Sequence, residues 1–148
     1  MPGAILAPSG LTYDPATDTL YVVDGAANQV VALANVATIG ADGLRVSGSS
    51  FSGPSAASAR VVAAGAPLNG PISAALLPTG NLIVGNTLDP NGTNLLVEIS
   101  SAAGIIATKN VDTGAAGALF GIAAGGTVAS PKIYFNDDND NTVKTLAP

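Results

Sequence analysis

The sequence predicts an all-β fold of three four-stranded antiparallel units. Three observations carry that expectation. Short runs of β-branched and aliphatic residues alternate with turn pairs rich in Asp, Asn, Gly and Pro. The 148 residues include 18 Gly and 10 Pro, dense punctuation for a chain long enough to make one domain. The same order of turns and strands also returns three times along the chain.

The first unit covers about 8–66. Its opening, "PSGLTYDPATDTLYVVDGAANQVVAL", reads as a strand ending near Tyr13 and a turn over 14–18. A second strand follows over 20–23, then a tight turn over 24–28 and a third strand over 29–34. Asp-Pro and Asp-Gly between β-branched runs are hairpin signals. The Gly/Ser/Ala-rich stretch 35–58 is expected to be an inserted loop, because surface loops tolerate length. A fourth strand then runs over 60–64.

The second unit covers about 69–112. Leu82-Ile83-Val84 stands where Leu20-Tyr21-Val22 stood, Asn86 matches Asp24, and a fourth strand runs over 104–109. The third covers about 117–146, with Ile133-Tyr134-Phe135 in the same place and Asp137, Asn141 and Val143 matching Asp24, Asn28 and Val30. It has room for only three strands. The segment 1–7 reads as an orphan strand that could complete a blade. The interval from Asp24 to Asn86 is 62 residues and from Asn86 to Asp137 is 51, close to the length of a four-stranded propeller blade once the insertion is set aside.

"GLTYDPATDTLYVVDGAANQVVAL", "GNLIVGN" and "KIYFNDDNDNTV" resemble blades of the NHL-repeat β-propellers. The resemblance implies a partial or half propeller, since such rings commonly need six blades and three are present here. It implies a non-catalytic scaffold or ligand- or protein-binding module, from an exported bacterial protein of extracellular or periplasmic location. Its alternative implication is a fragment of a metal-dependent, lactonase-like propeller hydrolase. Open blade faces and strand edges then predict self-association, or docking to the remainder of a larger propeller.

Composition narrows the chemistry. The net charge is −5, and Arg45, Arg60, Lys109, Lys132 and Lys144 are scattered. Nucleic acid and anionic membrane surfaces both ask for clustered cations, so neither is an expected partner. There is no Cys and no His, which excludes disulfides, thiolate nucleophiles, Cys/His zinc sites and a Ser-His-Asp triad within this chain. The uncharged stretches 61–88 and 113–130 are too rich in Pro, Gly and Ala to read as spanning helices. "MPGAILAPSG" lacks the basic start of a signal peptide.

Candidate site residues are few. Asp24, Asn86 and Asp137, with Asn28, Asn94 and Asn141, recur once per unit and read as turn residues. Asp137, Asp138 and Asp140 in "NDDNDN" are the candidate metal site, for Ca²⁺ through oxygen ligands. The loop lacks the turning Gly and closing Glu of a calcium hand. No other cofactor is expected. Glu98 is the only Glu, and the innermost strands are small or apolar, so no catalytic residue is assigned; Asp112 lies in a connection. Tyr21, Tyr134 and Phe135 read as packing residues, and Phe51 in the inserted loop is the ligand-contact candidate. Asn91-Gly92-Thr93 fits a glycosylation sequon.

Overall fold

The computed structural model of the chain describes residues 5–47, 50–88 and 94–147; the sequon and the first four residues lie outside them. The fold is all-β, with three antiparallel sheets of three or four strands. Sheet 1 joins β1 (Pro8–Asp14), β2 (Thr19–Asp24), β3 (Gln29–Ala34) and β6 (Ala59–Ala64). Sheet 2 joins β7 (Pro71–Leu76), β8 (Leu82–Asn86), β9 (Asn94–Ser100) and β10 (Gly104–Asp112). Sheet 3 joins β11 (Ile122–Thr127), β12 (Ser130–Asp137) and β13 (Thr142–Leu146).

Register confirms the internal alignment. Leu20 pairs with Leu33, Leu82 with Ile99 and Ile133 with Leu146. These are equivalent positions in the three sheets. Pro8 and Pro71 each open a first strand opposite the matched Asp24 and Asn86, and each is followed by a bulge. A residue without an N–H is tolerated at such a strand start.

Period-two alternation gives each sheet two faces. Tyr21, Val23, Val30 and Ala32 of sheet 1 meet Leu82, Val84, Val97 and Ile99 of sheet 2. From the other face of sheet 2, Ile83 and Leu96 meet Ile133 and Phe135 of sheet 3, with Leu119 between them. Each such fully buried aliphatic side chain contributes about 1.5–3 kcal/mol of transfer free energy. The first strands of sheets 1 and 2 approach closely. A Cβ at Gly10 would stand 2.7 Å from the Ile72 carbonyl oxygen, so only glycine fits there. The Ser9 hydroxyl also donates to the Pro71 carbonyl at 2.9 Å.

Two expectations are corrected. The segment 35–58 is not simply an extended loop. It carries the hairpin of β4 (Arg45–Ser47) and β5 (Ser50–Ser52) and two short 3-10 turns, Val36–Thr38 and Ala56–Ser58. Phe51, with Leu44 and Ala56, packs against Val31, Leu33 and Ala59. The insertion therefore covers the outer face of sheet 1. Sheet 3 has the three strands its length has room for, and among the described residues no strand pairs with the outer side of β13. Residues 5–7 form no strand; Ile5 packs into the same cluster as Phe51.

Candidate functional site

The repeated Asp/Asn turn is a buried clamp. Asp24, Asn86 and Asp137 are all essentially inaccessible to solvent. The Asp24 carboxylate accepts the N–H groups of Leu6, Ala7, Ala26 and Ala27 and the Gln29 side-chain amide. Burial pushes its carboxyl up, but these donors outweigh burial and hold it below the ordinary range. Asn86 accepts the Asn69 N–H at 3.1 Å and donates to the Pro67 carbonyl at 2.6 Å. Both side chains thus hold the segment leading into their own sheet. The next residue completes the clamp: Gly25, Thr87 and Asp138 donate their N–H groups to the carbonyls of Ala7, Gly70 and Ala118.

The matched Asn residues link one sheet to the next. Asn28 accepts the Gly70 N–H at 2.7 Å, and Asn94 accepts the Ala118 N–H at 3.1 Å. Asn28 and Asn141 adopt the expected positive φ, 49° and 56°. Asn94 is the fully buried first residue of β9, and its amide donates to Asp112 and to the Ala115 carbonyl.

The acidic turn uses its carboxylates internally. Lys144 reaches Asp137 at 2.6 Å and Asp140 at 2.7 Å, and the Asn139 N–H donates to Asp137. The two carboxylates raise the Lys144 ammonium well above its usual range, and Lys144 holds the Asp140 carboxyl below its own. Asp138 instead accepts from the Asn136 amide. The Asn139 amide donates to Asp112 and to the Ala115 carbonyl, tying the turn to the connection before sheet 3. The Asn139 and Gly114 donors hold the Asp112 carboxyl below its ordinary range. Among the described residues, no three His, Cys, Asp or Glu side chains gather as metal ligands would.

Lys144 was the partner that sequence reasoning missed. The available signal was its position four residues after Asp140 in a hairpin. Phe51 lies inside a hydrophobic cluster, placed as core rather than on an open ligand surface. Tyr21 and Phe135 are buried as expected, whereas Tyr134 is 38% exposed. Glu98 accepts from the Asn81 amide at 2.7 Å.

Two surface features remain. The outer face of sheet 3 carries Tyr134 and Val143, 38% and 77% exposed, whereas the matched Tyr21 and Val30 of sheet 1 are 4% and 0% exposed beneath sheet 2. A cleft of about 260 Å³ lies between the outer parts of sheets 2 and 3, lined by Ile83, Leu96, Ala107, Lys109, Ile133 and Leu146 among others. Comparison with known families finds no model that matches the chain, and comparison with curated proteins finds no match.

Proposed function

We propose that the chain is a non-catalytic scaffold of the β-propeller type, a run of NHL-like blades that works by binding other protein surfaces. The observation that carries this reading is the contrast between matched faces. Tyr21 and Val30 are covered by the next sheet, while Tyr134 and Val143 in the same positions of sheet 3 face outward. An apolar sheet face of this kind favours association. The buried clamps support the reading too, because residues repeated once per sheet serve architecture.

Self-association, where it occurs, runs through sheet 3. A head-to-tail ring would need the outer face of sheet 1, and Phe51 and its neighbours occupy that face. The expected assembly is therefore two copies joined face to face. Light scattering across a concentration series tests this. Growth toward a dimer, abolished by Val143→Lys, is expected. A monomer at the highest soluble concentration would overturn self-association, and saturable hydrolysis of a lactone that stops on metal removal would overturn the non-catalytic reading.

A further inference from the structure

We infer that the outer edge of β13 and the cleft beside it form a binding site for an extended peptide strand carrying a branched aliphatic residue. The proposal rests on the scaffold reading and adds a specific site and ligand class to it. Two independent observations meet here.

The first is the edge. Sheets 1 and 2 each have a fourth strand antiparallel to the third, β6 against β3 and β10 against β9. Among the described residues, β13 has none. An unpaired strand edge presents backbone N–H and C=O groups ready to accept another strand.

The second is the cleft. Leu146 of β13 matches Ile99 of β9, because Ile133 pairs with Leu146 as Leu82 pairs with Ile99. On sheet 2, Ile105 of β10 stands opposite Ile99 and packs into the core between sheets 1 and 2, beside Val62 and Ala63. The corresponding place between sheets 2 and 3 is the 260 Å³ cleft. It is walled by Ile83, Leu96, Ile133 and Leu146, with Ala107 and Lys109 on the β10 side. A strand added to β13 would send one side chain, opposite Leu146, into this space. The residue in that place is isoleucine on β10 and the smaller Ala59 on β6, and a cleft of this size has room for the larger, branched one.

The chain's own segments fit less well. Ile5 to Ala7 is held by the Asp24 clamp and the Phe51 cluster, so it is not free to cross to another copy. Two β13 edges paired antiparallel about their centres would set Lys144 against Lys144, a like-charge pair. A separate peptide strand avoids both conflicts.

The chain's own fourth strand supplies the probe. A fluorescent peptide of sequence GIIATKNVD, residues 104–112, is titrated into the intact protein by anisotropy. Saturable binding is expected, with Kd on the order of 100 µM for so short a strand. Replacing the peptide's second residue, the counterpart of Ile105, by Asp should weaken binding at least about tenfold, as excluding one buried branched side chain requires. Ala107→Trp, which fills the cleft from an exposed position, should do the same in a protein whose circular dichroism is unchanged. Tyr134→Lys, on the outer face of β12 and off the edge strand, should leave peptide binding intact while weakening self-association, so the two losses are read separately. Absence of saturable binding, or binding that ignores the Asp replacement, would overturn the proposal; the peptide change decides it even if Ala107→Trp fails to fold.

Discussion

Exchanging the two buried clamp residues tests whether hydrogen-bond polarity chooses Asp or Asn in each sheet. All five partners of Asp24 are donors. Asn86 has one donor partner and one acceptor, the Asn69 N–H and the Pro67 carbonyl. Asp24→Asn can keep the Ala7, Ala26 and Ala27 bonds on one oxygen, but its NH₂ would then face the donors from Leu6 and Gln29. Two bonds to a charged acceptor are worth about 1.5–3 kcal/mol each. Leu6 is an exposed residue whose N–H can turn to water, so the net cost should be about 2–3 kcal/mol, or about 4–10 °C in melting temperature. Asn86→Asp sets a buried carboxylate against a carbonyl and should cost at least about as much at neutral pH.

Both deficits should narrow on acidification, for opposite reasons. The Asp24 carboxyl is held below its ordinary 3.8 in the folded state. Its stabilisation is therefore complete above that value and is lost as pH falls through the lower, folded value. The deficit of Asp24→Asn should narrow as the pH falls below 3.8. An acid at position 86 should have a raised folded pKa, so its deficit shrinks on acidification because the protonated form can donate to Pro67. Urea unfolding followed by circular dichroism, near neutral pH and in acid, reads both. Either variant within about 0.5 kcal/mol of the parent at neutral pH would refute the polarity account.

Other substitutions probe the packing. Gly10→Val should destabilise by about 1–3 kcal/mol in urea titrations, because its Cβ meets the Ile72 carbonyl. Phe51→Ala should cost about 2–4 kcal/mol and raise proteolysis within 35–58, as expected of a residue that seals sheet 1. Lys144→Met should lower the melting temperature at neutral pH, since it leaves buried Asp137 without its cation, and the deficit should shrink in acid as Asp140 protonates. Millimolar calcium should leave the parent's melting temperature unchanged, because Asp137 and Asp140 are already engaged by Lys144; a clear rise would restore the metal reading of the acidic turn.

Much of the local structure was legible in sequence. The strands around Leu20, Leu82 and Ile133, the turns after Asp24 and Asp137, and the positive φ of Asn28 and Asn141 follow from period-two patterning and Asx turn chemistry. Asn94 differs from Asn28 and Asn141 in being already the first residue of its strand, where it braces the next connection. The insertion was recognised as an insertion, but its hairpin was not. Gly- and Ser-rich composition weakens the strand signal, and what orders that segment is Phe51 seating on Val31 and Ala59.

The sequence by itself determined the all-β class, the strand order within each unit and the three matched acidic or amide positions. Those features depend on residues a few positions apart, so short-range geometry settles them. Tertiary structure alone decided which faces meet. It placed Tyr21 under sheet 2 and left the matched Tyr134 outside, sent Lys144 to Asp137 and Asp140, and opened the cleft beside β13. Each outcome depends on whether a neighbouring sheet, strand or side chain arrives from elsewhere in the chain, and identical local patterns carry no record of that.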